Sequence, residues 1–456
     1  MRRSFRPAAE TTFCVVALLT FLGAYTSIPL RLQGIELQGG ESSPFNAAAN
    51  TVLLAGVIVL IALRRRDFVF VARHGGTVNL FLLFGLVSIL WSHSPEISAR
   101  RWVPLLLSVA FAYYLVASYP VERIIRLSAV AVGIALVTSA AVALAVPSLG
   151  VMSEANLAGS WCGVFGHKNQ LGGATIMGVL CFGWLWRHEP RRRLLHTFFL
   201  LLCLFLAVMS KSRTAQMTIL VITSFSIFLP ALRLPGLVKV WAAYGMIVTC
   251  LAFGTILLFF FGDIMEALGK DASLTGRVPI WTSLLDIGSE RVLGGYGYNA
   301  FFVSTNPEVQ NVWRSSGWEM WSAHNSFIEL LLDLGIPGLT LAVWALGELI
   351  WRSLQAWIAD TLTWASFATI YGITYCLASM TEDVLFRNGD MQLVVFSSIF
   401  VALRLRAAAK AAAIQVSSLR PGVRLHPSYN FYPLKDDGDA DNRRQPNGHG
   451  NLGYPI

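Results

Sequence analysis

The chain alternates between long apolar runs and short polar joints. Twelve apolar segments stand out, at about 12–31, 48–63, 77–91, 102–118, 125–147, 169–186, 194–209, 214–232, 238–262, 332–351, 362–380 and 391–408. Most approach the roughly 20 residues a helix needs to cross a hydrocarbon core, and the shorter ones need flanking residues or a thinner bilayer. Period-2 alternation is absent, and lipid leaves the edge of an open sheet unsatisfied. The pattern predicts an all-α, polytopic membrane protein of about twelve transmembrane helices over residues 1–408. A long polar interval, about 263–325, separates two late spans. The first span follows Arg2, Arg3 and Arg6 and reads as a signal anchor, because it is long and further spans come after it. Residues 409–456 turn polar and rich in Gly, Pro and Asn. Such a segment does not bury a core and is expected to be a disordered cytoplasmic tail.

Composition narrows the class. Only 13% of residues are charged against 55% hydrophobic, with a mean hydropathy of +0.58. An ordinary soluble domain carries about 25% charged residues. A disordered chain, a disulfide scaffold and an ordinary soluble enzyme are therefore excluded. The net charge of +9 could mark a nucleic-acid partner, but its placement gives a simpler account. All 35 basic residues lie at or beyond span boundaries, and the runs at Arg64–Arg66 and Arg191–Arg193 are dense. Basic residues accumulate in cytoplasmic loops, so both termini are placed inside, and no nucleic-acid partner is expected. Five of the six cysteines sit in apolar runs as small hydrophobes, and Cys162 stands alone in a polar loop. No disulfide framework follows.

With this orientation, the polar clusters that look chemical all fall outside: SHSPEISARRW (92–102), GVFGHKNQLGG (163–173), SKSRTA (210–215), TGRVPIW (275–281), GGYGYNAF (294–301) and SAHNSFIELLLDLGIPG (322–338). Arg213 sits in a turn dense with donors, Ser210, Lys211 and Ser212, where an interfacial anchor and an anion ligand both fit. Arg277 opens an expected amphipathic helix capped by Thr275, with Pro279 in its first turn. A cation there adds to the positive end of the helix dipole, a conflict that a bound phosphate would remove. A solvated loop arginine fits as well. His324 precedes a helix expected to end at Gly335 and Pro337, and suits either a structural role or a general base. Glu382 and Asp383, near Arg387, fit a divalent-ion site or a solvated ion pair. The histidines show no zinc spacing, so no metal and no cofactor are expected.

The outer Arg100, Arg101, Lys168, Lys211, Arg213, Arg277 and Arg291 form a phosphate-binding set, since arginine forks suit phosphate oxygens. Trp281, Tyr296, Tyr298 and Trp321 offer aromatic platforms. His167, Asn169 and Asn325 complete the polar candidates for substrate binding. A transporter would place charges or broken helices near the midplane, whereas here Lys and Arg lie at span ends, which favours an outer-face enzyme.

In this ordered series of outer motifs the sequence resembles the O-antigen ligase and Wzy-type polymerase superfamily over residues 75–400, most nearly exopolysaccharide polymerases of the ExoQ type. The resemblance implies a GT-C-like fold with a large periplasmic loop between late helices. It implies a glycosyltransferase of the bacterial inner membrane whose donor is an oligosaccharide on undecaprenyl diphosphate. By motif, two arginines that hold the diphosphate map onto Arg213 and Arg277, and a catalytic histidine maps onto His324. Joining repeat units into exopolysaccharide and transferring a glycan to lipid A core share this donor chemistry. Other exopolysaccharide assembly and export proteins are implied as partners.

Overall fold

The computed structural model describes residues 2–32, 44–154, 157–255, 277–317 and 319–419. These residues are helical with no strand among them; Val151 and Trp161 form an isolated antiparallel bridge. Among the described residues, six helices are long and apolar enough to cross a membrane: Pro95–Ser118, Val121–Ala145, Pro190–Met209, Arg213–Ala231, Ser326–Ile358 and Met391–Ala412. Ala48–Leu63 and Arg65–Ala72, bent by 100° at Arg64, make a seventh if they count as one. Shorter apolar helices run at Ala8–Phe21, Gly76–Trp91 and Leu237–Ala252. Each of the twelve apolar segments falls at least in part on a helix, while six or seven meet both length and apolarity.

Several boundaries differ from expectation for visible reasons. The first helix starts at Arg2 and stops at Phe21, because Gly23 and Tyr25 both take left-handed backbone angles. The Tyr25 N–H then reaches across to the Val164 carbonyl. The last helix runs to Leu419, past the expected boundary at 408, because its Ala-rich stretch favours helix. Residues 420–456 of the expected tail, 263–276 and 318 of the expected loop, and 256–262 at the end of the ninth apolar segment lie outside the described residues.

Lys168–His188 is the central helix. It packs against Val121–Ala145, Arg193–Met209, Arg213–Ala231 and Ala365–Ser379. Small residues permit the close approach. A Cβ on Gly178 would meet Cys203 Sγ at 2.5 Å, and one on Gly172 would meet the Ser212 side chain at 2.8 Å. Phe81, Phe111, Tyr114, Tyr371, Phe386 and Phe396 fill the same continuous core. Outside it the surface is apolar: Leu194, Leu237, Trp241, Trp344 and Trp351 are exposed, as lipid-facing side chains should be.

A second, smaller core lies beside this bundle. Leu284, Tyr296, Phe301, Val309, Val312, Met320 and Leu332 pack together, so much of the long late polar interval that is described is a folded cap. The cap rests on a helix break. Ser326–Ile358 loses helical geometry at Gly335 (φ 65°, ψ −167°). The freed carbonyls of Leu332 and Asp333 accept from the N–H groups of Tyr296 and Gly297, each at 2.8 Å, and Ile336 N–H donates to Val292 at 2.7 Å. The glycine-rich motif thus completes the hydrogen bonding of the broken helix.

Candidate functional site

His324 lies on a strap held at both ends. Its φ of +48° is left-handed, unusual for a residue with a side chain. Before it, the Trp281 indole N–H donates to the Ala323 carbonyl at 2.8 Å, and the Ala323 N–H donates to Glu329 Oε2 at 2.7 Å. After it, Asn325 Oδ1 accepts from Phe327 N–H at 3.0 Å and Ile328 N–H at 3.3 Å, an N-cap for the helix that follows. Such a conformation costs on the order of 1–3 kcal/mol and persists only where its surroundings fix it. Here two side chains and a helix start fix it.

His324 Nδ1 stands 3.6 Å from Glu382 Oε2. The other carboxylate oxygen accepts from Asn169 Nδ2 at 3.0 Å. Ser326 Oγ donates to the Glu382 carbonyl at 2.8 Å and accepts from Val384 N–H and Leu385 N–H at 2.9 and 3.0 Å. The loop carrying Glu382 is therefore fastened to the first residue of the helix that His324 leads into. Asp383 turns away toward Arg387, 3.9 Å distant. Burial pushes the Asp383 carboxyl above the usual carboxylate range, against the pull of Arg387 and His324. Among the described residues, no group of three or more His, Cys, Asp or Glu side chains could hold a metal ion.

Asn169 comes from the start of the central helix. His167 Nδ1 caps that helix by accepting from Asn169 N–H at 3.2 Å, and Gln170 Oε1 accepts from Gly166 N–H at 2.9 Å. Lys168 is the first residue of this helix. The close approach at Gly172 sets the turn Ser210–Arg213 against it. Lys211 takes a left-handed φ of +50°, and its ammonium donates to the Ala158 carbonyl at 3.2 Å. Arg213 opens the next helix.

A cavity of about 250 Å³ lies between these elements. Asn169, Gln170, Ser212, Thr214, Glu382, Arg387, Asn388, Asp390 and Gln392 supply its polar wall, and Phe21, Leu22, Ile176 and Met177 supply apolar surface. Amides, hydroxyls and carboxylates over an apolar floor suit a hydroxyl-rich ring with an aliphatic neighbour.

The remaining candidates separate into groups. Arg101 Nη1 donates to the Asn299 carbonyl at 2.6 Å and to its side-chain oxygen at 2.9 Å, so it anchors the glycine-rich loop. The Arg101 carbonyl accepts from Asn388 at 3.1 Å, which links that anchor to the cavity wall. Arg100 is exposed. Tyr296 is 3% exposed and packs edge-on to Phe301, so its ring is a core group of the cap and offers no open face. Tyr298 is likewise buried and donates to the Phe386 carbonyl at 3.0 Å. Trp281 supports the His324 strap. Arg277 heads the helix Arg277–Glu290, one turn before Trp281; its side chain lies outside the described residues, as does Thr275. Glu382 was set beside Asp383 in sequence, as a divalent-ion site or a solvated ion pair near Arg387, whereas its partners in space are His324 and Asn169.

The fold and site define a helical, multi-pass membrane protein with a polar cavity between its helices. The Wzy_C family model, described as O-antigen ligase, matches residues 198–343, a stretch that contains Arg213, Arg277 and His324. The exopolysaccharide production protein ExoQ of Rhizobium meliloti (strain 1021) is 24% identical over 306 residues, covering 61% of this chain. The chain spans 65% of the length of that curated relative. Both matches support one family, the O-antigen ligase/ExoQ-like proteins.

Proposed function

We propose that the chain polymerises oligosaccharide repeat units carried on undecaprenyl diphosphate into exopolysaccharide, on the periplasmic face of the bacterial inner membrane. Arg213 and Arg277 hold the donor diphosphate. His324 accepts the proton of an acceptor hydroxyl. The acceptor oxygen then bonds to the anomeric carbon with inversion, and the bond to the diphosphate breaks with its electron pair leaving on phosphate oxygen. Two guanidiniums, permanently charged and fork-shaped, stabilise that leaving group without a metal.

One observation carries the reading. His324 stands against Glu382, and Glu382 shares a cavity wall with Ser212 and Thr214, the neighbours of Arg213. The base and one diphosphate ligand thus belong to the same small region. The similarity to an exopolysaccharide production protein favours polymerisation. The O-antigen ligase description of the matched family favours the second reading, transfer of a glycan from the same donor to lipid A core or another acceptor.

A deletion strain complemented with Arg213→Ala or His324→Ala tests both. Loss of secreted polymer with accumulation of single lipid-linked repeats is expected, with turnover reduced on the order of 10²–10³. Wild-type polymer from a well-expressed His324→Ala chain overturns the assignment. Glycan missing from lipopolysaccharide, with polymer still on the lipid carrier, indicates the ligase.

A further inference from the structure

We propose that Glu382 is a positioning residue for His324, itself held in place by Asn169; this rests on His324 being the base. Two independent contacts place the pair. The first is the carboxylate itself, with one oxygen taken by Asn169 at 3.0 Å and the other 3.6 Å from His324 Nδ1. The second is the backbone: Ser326, two residues after His324, bonds the Glu382 carbonyl and the N–H groups of Val384 and Leu385. Both partners are thus mounted on the same helix start.

The chemistry follows from which nitrogen faces the acid. A carboxylate beside Nδ1 favours the tautomer with its proton on Nδ1 and leaves the lone pair on Nε2. The acceptor hydroxyl proton passes to Nε2, the imidazolium forms, and Glu382 opposes its charge while keeping its own proton count. Asn169 prevents the carboxylate from rotating away. The other charged groups nearby are Glu329, whose carboxylate accepts from the Ala323 N–H, and Asp383 and Arg387, which pair with each other. Apo contacts of this kind are often long and tighten only with substrate bound.

The test uses the full chain in detergent micelles, with lipid-diphosphate oligosaccharide extracted from the deletion strain as donor and acceptor. Glu382→Gln should lower kcat about 10- to 100-fold, the range seen when an orienting partner is lost, with KM unchanged. Glu382→Asp should restore part of the rate, and Asn169→Ala should fall between. A second measurement needs no turnover: the rate of carbethoxylation of His324 at a single pH, read by peptide mass spectrometry, should rise in Glu382→Gln as the ring loses its fixed orientation. A kcat and a carbethoxylation rate both at their wild-type values overturn the proposal. Full activity in His324→Ala overturns the underlying reading instead, and the two failures are separable because modification reports the contact alone.

Discussion

At the scale of single residues, the site is a set of side chains each fixed by a neighbour distant in sequence. Asp390, in the cavity wall, shows what this does to titration. Burial pushes its carboxyl up to about 6, against the pull of the Gln392 N–H and Arg387. The folded chain therefore binds that proton more tightly than the unfolded chain does. The gain is present at low pH and is lost as pH rises from the ordinary Asp value through about 6. Asp390→Asn, which keeps an acceptor for Gln392, should raise the thermal midpoint at pH 7–8 more than at pH 4–5. Equal shifts at both would refute a titrating Asp390. His324 and Arg213 stand out as candidates in the sequence because their polar clusters interrupt apolar runs. The spatial placement of Glu382 does not, since its partners lie 58 and 213 residues away. Nor do the buried fates of Tyr296 and Tyr298, because a loop aromatic looks the same in sequence whether it meets ligand or core.

At the scale of elements, the break at Gly335 decides how cap and bundle join. A side chain there meets two obstacles: φ is +65°, and a Cβ would lie 2.3 Å from the Val292 carbonyl oxygen. Gly335→Ala should lower the thermal midpoint and the folded yield, at a cost on the order of 1–3 kcal/mol for the strained backbone alone. Leu334→Val, one residue away and without the backbone demand, should do less than Gly335→Ala. Equal yields for wild type and Gly335→Ala would show that the break is not fixed by that glycine. The sequence marked Gly335 and Pro337 as a helix end, and the helical geometry does break at Gly335, in a kink after which a second helix follows. Pro337 lacks only an N–H that a new helical turn does not need, so the helix resumes to Ile358. Local signals report where a ladder is interrupted, and packing decides whether it restarts. The same limit explains the first span, whose break at Gly23 follows from the long-range reach of Tyr25 to Val164.

At the scale of the whole molecule, the charge pattern predicts an orientation that labelling can read. With the basic loops in the cytoplasm, the exposed Ser304 of the cap faces the periplasm and the exposed Asp360 faces the cytoplasm. An impermeant maleimide should modify Ser304→Cys in cells with a permeabilised outer membrane. Asp360→Cys should react only after the inner membrane is opened. The reverse pattern would invert the topology and remove the site from the periplasm. The helical class and the position of each apolar run were readable from hydropathy, because lipid imposes them segment by segment. The compact cap was not, because its core draws single residues from many short stretches.

The cap's attachment has a mechanical consequence. Lifting it would strip two hydrogen bonds from the carbonyls of Leu332 and Asp333, each costing about 1–3 kcal/mol when left buried and unmet. A polymerase that raised such a lid at every addition would meet that barrier once per sugar unit. Held by the bonds of a severed helix, the cap is spliced into the bundle as a fixed part of its frame.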